Sequence, residues 1–312
     1  MRESAILAKS LTKKYGEFCA VDSINLEVPK GICFGLLGPN GAGKTTMIQM
    51  IQASSPITKG ELEILGKDSV KESRSIRKII GVIPQEDNLD PDFTVRYNLL
   101  VYARYFGLNV KEAKERTREL LEKVELMEKA DEEISNLSGG MKRRLIVARG
   151  MINKPEMLIL DEPTTGLDPQ ARHSVWDQVR TFKSKGKTVL LTTHYMDEAE
   201  ILCDELAIMD SGKILIQGKP KILIKETIGT DAAEFVSLSF NQNENVLDLI
   251  AKECKVEKIK FSKLTDRIII YGNEIENVIS EFRENKKLTD IIRRRATLED
   301  VFLNLTGRQL RN

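Results

Sequence analysis

The chain has 312 residues, 41% of them apolar and 30% charged, which suits one large domain plus a smaller one, with a real core and a well-solvated surface. Lys and Arg number 48 against 47 Asp and Glu, a net charge of +1, so no global field draws the protein toward nucleic acid or an anionic membrane. The longest apolar runs, residues 32–37 and 189–191, are far short of the roughly 20 residues a membrane helix needs, so any membrane role is expected to come through a partner chain.

In chain order, residues 5–8, 24–28 and 32–37 are expected to be strands. The last runs straight into a glycine-rich loop, and a helix is expected from about residue 44 to 52. Strands follow at 59–65 and 79–83. From residue 93 to about 128 the apolar spacing turns helical, with a polar break at Gly107-Leu108-Asn109. A further helix follows Leu137-Ser138-Gly139-Gly140. Residues 157–160 and 188–192 are short, fully apolar strands on either side of a helix over 169–186. Apolar strands alternating with helices imply a mostly parallel sheet covered on both faces, an α/β fold. Four cysteines, at 19, 33, 203 and 254, have no paired zinc spacing, and Cys33, inside an apolar run, is expected to be a buried free thiol in a reducing compartment. Met1-Arg2-Glu3-Ser4 has no apolar signal core behind it.

The pattern changes near residues 225–231, where Gly229-Thr230-Asp231 interrupts it. Beyond it the expected order is strand 235–240, helix 246–254, strands 256–261 and 267–271, helix 275–285, strand 288–294 and helix 298–305. That order predicts a small ferredoxin-like α+β unit. The expected boundaries are 1–228 for the large domain, with a helical subdomain at about 86–150, and 232–312 for the accessory one. The accessory part has no glycine loop or acid–histidine cluster and is expected to be non-catalytic.

The loop Gly38-Pro39-Asn40-Gly41-Ala42-Gly43-Lys44-Thr45 reads G-x-x-x-x-G-K-T. Glycines let backbone N–H groups turn toward phosphate oxygens, and the following helix aims its positive end at them. Lys44 is placed to reach the β and γ phosphates, and Thr45 to offer a hydroxyl to Mg²⁺. A chance match in a chain this long is about one in a hundred, so a plain strand–turn–helix loop is the weaker reading. Leu158-Ile159-Leu160-Asp161-Glu162-Pro163 ends an apolar strand in two acids, at the sheet edge where α/β ligands bind. Asp161 is expected to hold Mg²⁺, and Glu162 to polarise an attacking water. His194 ends the strand that starts at residue 188, at the same kind of edge. Gln85 follows another strand, either as a contact to Mg²⁺ and the lytic water or as an ordinary loop amide. Ser138, Gly139 and Gly140 open a helix as either a second anion site or an ordinary cap. Phe93, Tyr97, Tyr102, Tyr105 and Phe106 are either a groove for a partner helix or the core of a helical subdomain.

These motifs, in this order, resemble the nucleotide-binding subunits of ABC transporters. Tyr15, in Lys13-Lys14-Tyr15-Gly16, resembles the aromatic that stacks on adenine. Gly38–Thr45 with Thr46 resembles Walker A, Gln85 the Q-loop, Ser138–Met141 the signature motif and 158–162 Walker B. Gly166-Leu167-Asp168-Pro169 resembles the D-loop, which brings in Asp168, and His194 the switch histidine. The resemblance covers about residues 5–225. Leu-Ser-Gly-Gly-Met-Lys-Arg-Arg is similar to the ABC-2 exporter branch, and 84–91 especially to nodulation-factor ATPases. The tail 298–308 resembles the end of drug-exporter subunits. Two departures are Met141, where signatures more often have Gln, and Tyr97, where an acid is common.

The resemblance implies a P-loop NTPase fold of ABC type, with N-terminal antiparallel strands, a helical signature subdomain and ATP and Mg²⁺ as cofactors. It implies a homodimer that sandwiches two ATPs head to tail, Walker A of one copy facing Ser138, Gly139 and Gly140 of the other. It also implies a separately encoded integral-membrane ABC-2 permease as partner. The expected place is the cytoplasmic face of the membrane, held there through the permease. A DNA-repair ATPase is a poorer fit, because only about 90 residues separate Walker A from the signature and no heptad run lies between them. Ribosome-acting types usually carry two cassettes per chain, so no nucleic-acid partner is expected. Intact Lys44, Asp161, Glu162 and His194 argue against a non-enzymatic regulator.

Overall fold

Three apolar runs set the centre of the parallel sheet. Cys33–Leu37 (β3) and Thr188–Thr193 (β8) are buried along their whole length, and Met157–Asp161 (β7) along all but its last residue. Such strands read as continuous hydrophobic runs because helices cover both faces of a parallel sheet. With Ile80–Ile83 (β6), Glu205–Asp210 (β9) and Lys213–Gly218 (β10) they form a six-stranded sheet in the order β10-β9-β3-β8-β7-β6. The pairs β9–β3 by way of β3–β8 and β7–β8 to β6–β7 are all parallel. The computed structural model describes residues 3–236, 244–273, 275–277, 279–280 and 290–307.

The described chain divides into two compact units, Met1–Ile214 and Leu215–Asn312. In the first, Ser4–Tyr15 (β1), Phe18–Pro29 (β2), Lys59–Ile64 (β4) and Lys67–Asp68 (β5) make an antiparallel sheet in the order β2-β1-β4-β5. β1 and β2 are far longer than the apolar stretches 5–8 and 24–28 suggested. Hairpin pairing through Tyr15↔Phe18 carries both strands past those stretches, into sequence that includes Lys13, Lys14 and Asp22. Lys44–Ile51 (α1) follows the glycine loop, and Ser73–Ile79 (α2) precedes β6.

Val95–Tyr105 (α3), Val110–Lys123 (α4) and Gly139–Gly150 (α5) form the helical part. Each start is chemically marked. Thr94 accepts from Tyr97 N–H at 3.2 Å, Asn109 and Glu112 form a capping box, and Ser138 accepts from Met141 N–H at 3.3 Å. Pro169–Ser184 (α6) begins at an Asp168 cap with proline in its first turn, and Met196–Leu202 (α7) leads into β9.

The second unit contains Pro220–Thr227 (α8), Asp231–Val236 (β11), Glu244–Val256 (α9), Lys260–Lys263 (β12), Arg267–Gly272 (β13), Asp290–Arg295 (β14) and Leu298–Thr306 (α10). Its strands run in the order β12-β13-β11-β14, all pairs antiparallel. β13 lies between β11 and β12, which splits the β11-α9-β12 unit in the ferredoxin-like manner.

The strand expected over 235–240 starts earlier than expected. β11 begins at Asp231, directly after the Gly229 turn at φ 93°, because Ala232 and Ala233 fill buried positions too small to stand out as strand formers. The rest of that range, 237–240, lies outside the described residues. The strand expected over 256–261 is also moved: α9 continues to Val256, a turn with Lys258 at φ 59° follows, and β12 starts at Lys260. Of the helix expected at 275–285, residues 276, 277, 279 and 280 are helical, and residues 274, 278 and 281–285 lie outside the description, as do 288 and 289 ahead of β14. Glu234, Arg267, Arg294 and Asp300 tie this unit's sheet to α10 by ion pairs of 2.6–2.9 Å. Asp300, only 3% exposed, is charge-compensated by Arg294.

Candidate functional site

The site is built at the carboxyl edge of the parallel sheet. β3 ends at Leu37, and Gly38 must pass against β9: a Cβ at Gly38 would sit 2.1 Å from the Met209 carbonyl oxygen. Gly43, at φ 104°, caps α1, and a Cβ there would meet the Ala20 carbonyl oxygen at 2.5 Å. Glycine is therefore required on packing and conformational grounds at both ends of the loop. The first turn of α1 has no side-chain cap and no acidic residue, so its N–H groups and positive end face outward, free for an anion.

Lys44 is 4% exposed, folded back beneath the loop. Its Nζ donates to Gly38 O at 2.8 Å and Pro39 O at 3.2 Å and lies 3.4 Å from Glu162 Oε1. Burial holds its pKa below the usual lysine range, opposed by the Glu162 charge. Thr45 is exposed and Thr46 half-buried at the start of α1.

β7 delivers the two acids to the same edge. Asp161 Oδ1 accepts from Thr192 Oγ1 at 2.6 Å, and Asp161 and Thr192 are paired in the parallel register. Burial pushes the Asp161 carboxyl up, with Thr192 acting the other way. Glu162 leaves the strand at φ 43°, a left-handed conformation that costs a non-glycine residue about 1–3 kcal/mol. Its N–H, donated to Thr192 O at 3.1 Å, locks that turn. The turn aims the side chain inward, 8% exposed, with Oε1 toward Lys44 and Oε2 3.1 Å from His194 Nδ1.

Lys44, Asp161, Glu162 and His194 are thus brought together. Gln85 is exposed, and it is its backbone carbonyl that is held, with that of Pro84, by Arg143 Nη1 at 3.5 and 2.6 Å. Ser138 and Gly139 lie exposed at the start of α5, and Gly140 is half-buried. Asp168 Oδ1 accepts from Ala171 N–H at 2.8 Å, so it has a local capping job. Ser138, Gly140 and Asp168 share the walls of a cavity of about 380 Å³. Among the described residues no hydrogen bond or ion pair joins this second group to the phosphate loop. Tyr15 is 48% exposed, with Lys13 Nζ 4.9 Å from its ring centroid. Of the five aromatics of 93–106, none belongs to the buried core; Tyr97 is 50% and Tyr105 80% exposed.

The oxygen donors suit Mg²⁺, which needs one or two protein oxygens beside phosphate oxygens. Asp161 keeps Oδ2 outside its Thr192 bond, and the Thr45 hydroxyl stands at the exposed helix start.

Sequence reasoning missed three supporting residues. Thr192 orients Asp161; its only signal was a hydroxyl near the end of an apolar strand. Arg143, 6% exposed and held down to about 10 by burial, pins the 84–85 carbonyls from α5. Glu198, fully buried in α7, accepts from Thr164 Oγ1 and Trp176 Nε1, both at 2.9 Å, and so ties the segment after Glu162 to the helix after His194. An acid four residues past His194 on an otherwise apolar helix face was the available clue.

Residues 21–165 match the ABC transporter family, and 248–307 match the Nodulation factor export protein NodI, C-terminal domain. The Nod factor export ATP-binding protein I of Paraburkholderia xenovorans is 44% identical over 313 residues, covering 100% of both chains. That of Rhizobium etli is 43% identical over 307 residues, 98% of this chain and 95% of that protein. Among solved structures, the post-hydrolysis dimer of an ATP-binding cassette bound to ADP and Pi superposes with a TM-score of 0.62 at 28% identity, over 69% of this chain and 98% of that one. An ATP-binding subunit of an ABC transporter gives a TM-score of 0.65 at 27% identity, over 72% of this chain and 93% of that one.

Proposed function

The chain belongs to the ABC transporter family, among the Nod factor export ATP-binding proteins, and we propose that two copies close head to tail on two ATP molecules. It is an ATP-binding and ATP-hydrolysing subunit of an exporter. The observation that carries the dimer reading is Gly139. A Cβ there would meet nothing within 4 Å, and its φ is not in the left-handed region. Local packing gives no reason for glycine, whereas close approach of a phosphate from outside does.

In this reading the backbone N–H groups of Gly38 and of Asn40 to Thr46, with Pro39 shaping the loop between them, and Lys44 hold the phosphates. Thr45, Asp161 and Gln85 would hold Mg²⁺, which would supply charge balance at the phosphate oxygens. The arriving phosphate gives Lys44 a stronger anionic partner than Glu162, releasing Oε1. Glu162 then accepts a proton from the water that attacks the γ-phosphorus, while the bond to the leaving ADP oxygen breaks. His194 fixes Glu162 through Oε2 and faces the same phosphate. Ser138, Gly139 and Gly140 bind the γ-phosphate of the partner's ATP, and Asp168 orders the helix beside them.

A short bifunctional thiol crosslinker tests the arrangement. Asn40→Cys on one copy and Ser138→Cys on the other are expected to be bridged with ATP present and not without it. Failure to bridge, with both thiols shown to be reactive, would overturn the head-to-tail reading.

Tyr15 is proposed to stack on adenine through the face not covered by Lys13. Tyr15→Ala is expected to raise the nucleotide Kd about tenfold, the loss of roughly 1–1.5 kcal/mol. Stacking reads a π-face and not base edges, so GTP should bind nearly as well as ATP. Titration calorimetry with both nucleotides checks it; an unchanged Kd removes Tyr15 from the site.

The partner is proposed to be a membrane permease that holds the protein at the cytoplasmic face. No helix among the described residues is long and apolar enough to cross a membrane. A cavity of about 480 Å³ runs beside Tyr102 and Phe106, with Pro84, Asn88 and Arg149 in its walls. Arg149 lies 4.3 Å above the Tyr102 ring and donates to Asn88 O at 2.8 Å. This favours the groove over the core for the aromatic stretch, and a permease helix is its proposed occupant.

A further inference from the structure

We propose that the first unit has a second ligand site, separate from the nucleotide site, for a small organic anion with an apolar body. The site is a cavity of about 700 Å³ between α4, the loop after α5 and α6, within the size range of small-molecule pockets. Its floor is apolar: Leu120, Val124, Pro155 and Phe182 are buried, and Met151 half-buried. Its rim is basic.

The charge balance decides the ligand class. Two acids line the cavity on the rim, and both are already neutralised: Glu125 pairs with Arg144 at 3.2 Å and Asp177 with Arg180 at 3.1 Å. Lys123 and Arg116 share Glu119. Lys154, Lys185 and Lys187 also line it, and among the described residues none of the three side-chain ammonium groups has an ion-pair or hydrogen-bond partner. Three uncompensated ammonium groups around an apolar floor favour an anion that also has apolar surface to bury. One lining side chain adds a donor: Arg116 Nε is buried without a hydrogen-bond partner among the described residues. A buried orphan donor in a cavity wall is a place for a ligand oxygen.

The cavity adjoins the signature face. Glu125, Arg144, Gln170 and Ser174 line both it and the 380 Å³ cavity that holds Ser138 and Asp168. A ligand there would touch α6, whose first residues follow Asp168, and would report to the proposed dimer face without entering the phosphate loop.

The test uses 2-naphthyl phosphate as probe, on the full chain saturated with ADP so that the nucleotide site is closed to it. Fluorescence titration is expected to show saturable binding that 2-naphthol and inorganic phosphate reproduce only weakly, since each lacks half of the chemistry. The triple variant Lys154→Glu, Lys185→Glu and Lys187→Glu is expected to weaken the probe by about tenfold or more. Its ADP affinity should not change. Ser174→Trp, which fills the cavity and leaves the lysines in place, should also weaken the probe. No saturable binding to the parent chain, or equal binding to parent and both variants, would overturn the proposal.

Discussion

Replacing Glu162 by Gln is expected to lower ATP turnover by about 10²–10⁴-fold, the usual scale for removing a general base. The side chain keeps its shape in a site where it is held on three sides, by Lys44, His194 and Thr165. An amide keeps one acceptor and loses the negative charge and the basicity. Nucleotide binding should survive, because the loop N–H groups, Lys44 and Thr45 are untouched. Since hydrolysis is what opens the sandwich, the variant should accumulate as an ATP-bound dimer in size-exclusion chromatography with MgATP. Asp161→Asn should differ. Its amide oxygen can still accept from Thr192 Oγ1, but the charge for Mg²⁺ is gone, so metal dependence should shift first. Turnover by Glu162→Gln at the parent rate, in a steady-state ATPase assay, would remove it from the chemistry.

Gly139→Asp is the second large effect. The fold should tolerate it, since a Cβ at this position meets nothing within 4 Å. An acid in the first turn of α5 even complements the helix dipole. The same carboxylate stands where the partner's γ-phosphate is proposed to dock, and like charges repel. Dimerisation with MgATP and turnover should both fail, while each monomer still binds ATP at its own loop. Sedimentation with and without MgATP reads the first effect directly; a variant that still dimerises would contradict it.

How much of this was legible in the sequence follows from how local each feature is. The phosphate loop needs only eight consecutive residues, because strand, turn and helix N-terminus are contiguous. Asp161 and Glu162 were legible for the same reason: the end of one apolar strand fixes where they stand. The four-residue apolar run of β9 and the short helix α7 went unassigned, since such runs do not distinguish strand from helix. Thr192, Arg143 and Glu198 were hidden for a different reason. Thr192 reaches Asp161 across 31 positions of sequence, and Arg143 reaches Pro84 across 59; only the sheet register and the packing of α5 bring them together. The Glu162 turn at φ 43° has no glycine to announce it. In the second unit, Ala232 and Ala233 were weak strand signals at fully buried positions, so the strand starts four residues before its expected start.

The central claim is that each ATP is shared between the loop of one copy and Ser138 and Gly139 of the other. Mixing Gly139→Asp with Lys44→Ala protein tests it most directly. Each variant alone should be nearly inactive. In a head-to-tail mixed dimer one composite site combines both lesions and the other is intact, so ATPase activity should return on mixing. No recovery, with mixed dimers shown to form, would contradict sharing across the two copies.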